Sequence, residues 1–335
     1  MSGTSVRDAG KALGAKAQRL PLAGLVFAVL GAVAFSGKAI VIKLSYRYGV
    51  DAMTLIMLRM LFALPFFLIM AAWAEYQARQ PPKPLATQPP AFKGRPERQL
   101  RVALTLKDMR QIAFLGFIGY YFSSFLDILG LQFVSAGLER LILYLNPTLI
   151  LLLGWVFLKR PVSQKRCLAM GVSYVGLLLA FGTELTVSSS HVWLGSAFVF
   201  LSAITYAVYL MLGERLLETI QSLRLVAWAS CVACICCVAQ FSLFRSWQDL
   251  SLPVEVLQLA FINATVCTVM PIFFVMKGIE LMGGAITAQI GMIGPMSTLL
   301  LSFWILGEPL NVWIALGTLL VLVGVFLMSR LGVEK

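Results

Sequence analysis

Apolar residues along this chain gather into ten blocks separated by polar turns: 22–44, 53–75, 111–131, 135–157, 166–182, 192–212, 223–244, 256–276, 284–306 and 311–330. A helix of about 20 apolar residues crosses a hydrocarbon core of about 30 Å. A chain in lipid must satisfy its own backbone groups, so each block predicts a membrane-crossing helix. The predicted fold class is therefore an all-α integral membrane protein with ten transmembrane helices. The long interruption at 76–110 carries eight Lys/Arg and six prolines. That composition buries no core and predicts a solvated or membrane-surface loop, with Glu97 to Arg110 suited to a short interfacial helix. Residues 1–21 are basic and polar, and the apolar run after them is too long for a signal peptide, so it is expected to remain as the first span.

Composition agrees with the pattern. The chain is 59% apolar and 13% charged, where soluble domains hold roughly 45–50% apolar and a quarter charged residues. A soluble enzyme, a disordered chain and a secreted disulfide scaffold are excluded. The net charge of +12 would suggest nucleic acid if it were spread evenly, but its placement points elsewhere. Of 27 Lys/Arg, 21 fall in segments on one side of the predicted spans, while Lys43, Arg47 and Arg245 fall on the other. That bias predicts both termini cytoplasmic in a bacterial-type inner membrane, with the lipid bilayer and no nucleic acid as partner. All seven tryptophans lie near span ends, as interface residues do. The six cysteines sit in apolar segments. The run Cys231 to Cys237 contains C-x-x-C spacing, but its positions point around a whole helix and His191, the one histidine, lies elsewhere. No metal or cofactor is expected.

The chain also matches itself. A shift of 148 residues aligns Gly130 with Gly278, Pro147 with Pro295, Leu151–Leu153 with Leu299–Leu301, Pro161 with Pro309 and Gly176 with Gly324. Each half then holds five spans, 22–182 and 192–330. Because five is odd, the halves enter the membrane in opposite senses, the inverted repeat of alternating-access transporters.

Charges inside spans are costly and mark function by default. Lys38, Arg59, Glu139 and Arg140 are such charges, and counting residues from the span midpoints sets them at one level, about 6–11 Å toward the outer face. Three cations and one anion there suit a carboxylate or another anionic group, with Arg59 a candidate partner for Glu139. The second half has Thr287 and Ala288 where the first has Glu139 and Arg140, and Tyr206 and Tyr209 where the first has Phe35 and Lys38. Tyr121, Tyr144, Asn146, Tyr206 and Tyr209 complete the candidate substrate-binding set. Pro147 and Pro295 each free a carbonyl one turn earlier and are candidate hinges, with Asn146 placed to satisfy one of those carbonyls. Glu308, at the start of the last span, suits the dipole of that helix.

Pro295, Leu306-Gly307-Glu308-Pro309-Leu310, Gly317 and Gly324-Val325, echoed by Pro147, Leu158-Lys159-Arg160-Pro161 and Gly176, resemble the EamA family of the drug/metabolite transporter superfamily. Lys159-Arg160 departs from the Gly-Glu of that pattern, and the 76–110 loop is larger than usual. The resemblance implies a secondary transporter, often an exporter of amino acids or small metabolites, and not an enzyme. The expected partner is a small-molecule substrate moved by alternating access, coupled to protons or exchange, and a homodimer is an allowed assembly. A flippase for a lipid-linked headgroup and a passive channel are the alternatives.

Overall fold

The computed structural model describes residues 21–80, 103–159, 162–187, 191–217, 219–247, 252–282, 284–309 and 311–330. The basic N-terminus, most of the 76–110 loop and Arg160-Pro161 lie outside the described residues. The described residues form helices and short connections, with no strand among them. Among the described residues, nine helical stretches are long and apolar enough to cross a membrane: α1 Leu22–Tyr46, α2 Ala52–Arg79, α3 Leu106–Gly130, α4 Ala136–Phe157, α5 Gln164–Gly182, α6 Val192–Leu216, α7 Ser222–Phe244, α8 Val254–Ile279 and α9 Ile286–Leu306. A further apolar helix, α10, is shorter, at Val312–Leu327. The chain is a multi-pass membrane protein. Of the interfacial helix expected from Glu97 to Arg110, residues 97–102 lie outside the described residues and Leu106–Arg110 belong to α3, whose start is fixed by a capping box between Thr105 and Asp108, a reciprocal pair that satisfies two otherwise open N–H groups.

Two helices are broken. α4 runs as Ala136–Leu143, a turn at Tyr144-Leu145, and Asn146–Leu158. α9 runs as Gly284–Gly291, a turn at Met292, and Ile293–Leu301. Each break lies just before a proline, Pro147 or Pro295, which has no N–H to continue the ladder. Two other helices carry π turns, Gly116–Phe122 in α3 and Thr265–Val269 in α8, the second matching positions 148 residues earlier within the first.

Helix packing repeats itself with the partners exchanged. α1 packs on α8 and α9, and α6 on α3 and α4, while α2 pairs with α7 and α5 with α10. Small residues permit the close approaches. A Cβ on Gly24 would strike Leu281 and Met282, and one on Gly195 would strike Phe133 and Val134, their mates 148 residues earlier. A Cβ on Gly130 would strike Val199, and one on Gly278 would touch Ala28. Where α5 crosses α10, Gly176 meets Gly317 and Val321, and Gly324 meets Ala169 and Ser173. The Ser173 hydroxyl donates to the Val321 carbonyl at 3.5 Å, a contact between residues 148 apart.

The turns after α4 and α9 match in shape although not in sequence. Gly307 has φ +73° and its counterpart Lys159 has φ +51°, a left-handed conformation that costs a residue with a Cβ roughly 1–2 kcal/mol. Of the tryptophans, Trp73, Trp155, Trp193, Trp247, Trp304 and Trp313 are exposed, as interface residues should be. Trp228 departs: its indole N–H donates to Glu75 at 2.9 Å.

Candidate functional site

The broken helix α4 delivers two charges into the bundle. Glu139 is fully buried and Arg140 is 7% exposed. Beside them stands Lys38 of α1, whose Nζ lies 2.5 Å from Asp127 Oδ2 and 3.6 Å from Glu139 Oε1. Asp127, on α3, is 2% exposed. One ammonium thus serves two carboxylates, with Asp127 in hydrogen-bond contact and Glu139 only in ion-pair range. Neither Glu139 oxygen accepts a hydrogen bond among the described residues, nor does Asp127 Oδ1. Arg140 spreads its guanidinium over the Phe35 ring, 4.8 Å from the ring centre, and Lys38 lies 5.7 Å from the same centre. Phe35 is 39% exposed, so the cluster reaches the molecular surface along α1.

The charge balance decides what this arrangement can do. A single charge at the centre of a membrane helix costs about 2.5–3.5 kcal/mol on insertion scales. Lys38, Asp127 and Glu139 offset one another, leaving one anion in excess against Arg140 and Arg59. Arg59, on α2, is 3% exposed and its Nε finds no hydrogen-bond partner among the described residues. Sequence offered Arg59 as the partner of Glu139; in the structure Lys38 takes that place, and Arg59 lies within electrostatic reach of Asp127 and of Cys234, Cys237 and Cys267. Counted together, the five buried side chains hold three cations and two anions. Protonating either carboxylate only enlarges the surplus. The Glu139 oxygens and Asp127 Oδ1 thus stand beside a net positive charge without a hydrogen-bond donor among the described residues.

The remaining candidates sort by element. Asn146 donates to the Leu143 carbonyl at 2.7 Å, the acceptor that Pro147 leaves without its helical donor. Tyr144 donates across to the Gly291 carbonyl of α9, the one that Pro295 frees. Gly294, three residues on, accepts from Ser36 of α1 at 2.8 Å, and a Cβ there would stand 3.0 Å from the Arg140 guanidinium. The break in α9 is thus held by three side chains of the first half. Tyr121 lies beside Cys236 and Cys237 on the Arg59 side. Tyr206 and Tyr209 stack with centres 5.5 Å apart, and Tyr120 meets Tyr209 edge-on at 5.1 Å; no charge joins this group.

Sequence inspection missed Asp127. It is the one acid in the third apolar block, but it stands four residues from the block's end and reads as an interface residue until Lys38 is seen to reach it. Glu75 was missed for the same reason. It accepts twice from Arg224, with Nε at 2.6 Å, and once from Trp228, clasping the end of α2 to the start of α7. At the other end of that helix pair, Asp51 and Arg245 approach to only 3.4 Å and are both well exposed. Glu308 does not serve its own helix: it accepts from the Ala136 N–H at 3.3 Å and pairs with Lys43 at 3.4 Å, anchoring the start of α4.

Comparison with known proteins fits this geometry. A crystal structure of a protein 14% identical in sequence superposes with a TM-score of 0.58, covering 93% of this chain and 99% of that one, so the fold is shared. YcbK of Bacillus subtilis (strain 168), an uncharacterized transporter, is 27% identical over 294 residues, 86% of this chain and 87% of its own length. YyaM, an uncharacterized transporter of the same organism, is 27% identical over 220 residues, 64% of this chain and 71% of its own. The model of the EamA-like transporter family matches residues 22–182 and again 193–330. Both stretches, taken with the multi-pass helical fold, lead to one conclusion: the chain belongs to the EamA-like transporter family and is a membrane transporter.

Proposed function

We propose that this transporter is secondary active and exports a small organic metabolite, an amino acid, carboxylate or related compound, by alternating access coupled to protons or exchange. Its ten spans form two inverted five-helix repeats, 22–182 and 192–330, with both termini cytoplasmic in a bacterial-type inner membrane. The observation that carries this reading is the buried cluster of Lys38, Asp127, Glu139 and Arg140, whose Arg140 stands against the break of α9. Discontinuous helices at a repeat interface are where secondary transporters place their sites, and here Arg140 of α4 approaches Gly294 at the break of α9. Exchange of contacts between α1/α8 and α6/α3, with α5 crossing α10 at residues 148 apart, supports a two-fold relation between the halves. Lys38, Arg59 and Arg140 receive the anionic group; Glu139 receives an amine where one is present. Tyr144 and Asn146 hold the breaks, and Pro147 and Pro295 are the hinges about which they move. Tyr121, Tyr206 and Tyr209 line the apolar part of the route.

The test is counterflow in proteoliposomes loaded with unlabelled amino acids or organic acids. Saturable accumulation of the same labelled compound, absent from protein-free vesicles, is expected. Uptake linear in concentration, or none across the panel, would contradict the proposal.

A further inference from the structure

Arg59 stands apart from the other buried cations. Lys38 has Asp127, and Arg140 has the Phe35 ring and the α9 break, whereas the Arg59 Nε finds no hydrogen-bond partner among the described residues. Its surroundings come from three other helices. On α7, Cys231, Cys234 and Cys237 are buried in one core with Met57 and Met60 of α2, and Cys234 reaches Met60 sulfur at 3.9 Å. On α8, the Cys267 sulfur lies over Gly37, 3.1 Å from where a Cβ would stand, one residue from Lys38. Asp127 of α3 lies within electrostatic reach of Arg59. Thiols are weak donors and do not neutralise a guanidinium, and Asp127 is already bound to Lys38. A buried guanidinium with an open Nε presents a planar fork of N–H donors that fits an oxyanion two bonds at a time.

We propose that Arg59 forms an anion subsite between α2, α3, α7 and α8, which takes a small organic oxyanion of the carboxylate class, with Cys234, Cys237 and Cys267 as its wall. This rests on the transporter reading and narrows its substrate to compounds carrying an anionic oxygen group. The thiols make the subsite measurable without a known substrate. Purified full-length protein in nanodiscs is treated with two methanethiosulfonates of similar size, one bearing a sulfonate and one a trimethylammonium. In each, a cysteine sulfur bonds to the reagent's thiol sulfur, methanesulfinate leaves, and the thiol proton passes to water. Labelling at each cysteine is followed by peptide mass spectrometry, with the exposed Cys167 as reference. A focused positive site favours the anionic reagent on the order of ten-fold at Cys234, Cys237 or Cys267, and not at Cys167. Arg59→Lys keeps that preference, and Arg59→Gln reduces the rate ratio to about one even where loosened packing raises both rates. A preference unchanged in Arg59→Gln overturns the subsite. So does failure of all three thiols to react with either reagent while Cys167 is labelled. Labelling needs no transport, so its outcome is independent of the counterflow result.

Discussion

The stretches 22–182 and 193–330 use one backbone and two chemistries. Both contain a helix broken before a proline, a π turn at matched positions, and the same small-residue contacts between helices. Yet where the first stretch places Lys38, Glu139 and Arg140, the second places Tyr209, Thr287 and Ala288. Lys38 enters a buried ionic cluster, and Tyr209 enters a stack of three tyrosines. The difference teaches that one helical scaffold holds buried charges in its first stretch and tyrosines in its second, and recognition of charge is proposed to belong to the first. A symmetric pair of charged sites would double the burial cost of about 2.5–3.5 kcal/mol per charge without giving a ligand a distinct end to bind.

The largest effect should come from breaking the charged side of this comparison. Lys38→Met leaves two carboxylates without their shared cation and should destabilise the purified protein by about 3–5 kcal/mol, read from denaturant unfolding in detergent. At the clasp, Glu75→Gln uncovers Arg224, which is 3% exposed on its side chain; because Glu75 itself is partly solvated, a loss of about 2–3 kcal/mol is expected. Asp51→Asn, at the exposed end of the same helix pair, should cost under about 1 kcal/mol. A reversal of that order would show that the clasp is not what joins α2 to α7.

A smaller effect tests the breaks. Tyr144→Phe should cost about 1 kcal/mol in the native sequence and nearly nothing in Pro295→Ala, where a restored N–H serves the Gly291 carbonyl instead. Equal losses in both backgrounds would mean that the hydroxyl acts elsewhere. Smaller again is the matched turn. Lys159→Gly relieves a left-handed residue but adds freedom to the unfolded chain, so a net gain of about 0.5–1 kcal/mol is expected. Tyr209→Phe, the aromatic counterpart of Lys38, loses only a 3.4 Å contact with Tyr120 and should cost under about 1 kcal/mol.

Much of this was legible in the residues. The apolar blocks located each helix to within a few residues because lipid imposes length and composition together. Pro147 and Pro295 located both breaks, since a missing N–H acts at a fixed spacing, and of the two roles open to Asn146, a freed carbonyl or the substrate, the structure shows the carbonyl of Leu143. Lys38, Glu139 and Arg140 announced themselves as charges inside spans. Asp127 and Glu75 did not, because an acid near a span's end looks solvated until packing shows which cation covers it. Tyr144 stands in the candidate substrate-binding set, and nothing in sequence says that its hydroxyl also reaches across to Gly291, 147 residues away. Glu308 suits the dipole of the helix it precedes as far as sequence goes, because local sequence suggests local partners, and only the fold brings Ala136 and Lys43 to it.

The central claim is that a surplus of buried positive charge in the first stretch selects an anionic group. The direct measurement is counterflow of labelled organic acids against their neutral amides in proteoliposomes of the native protein and of Arg140→Gln. The account predicts that an acid exchanges, its amide does not, and Arg140→Gln loses exchange of the acid. Equal exchange of acid and amide, or exchange unaffected by Arg140→Gln, would contradict it.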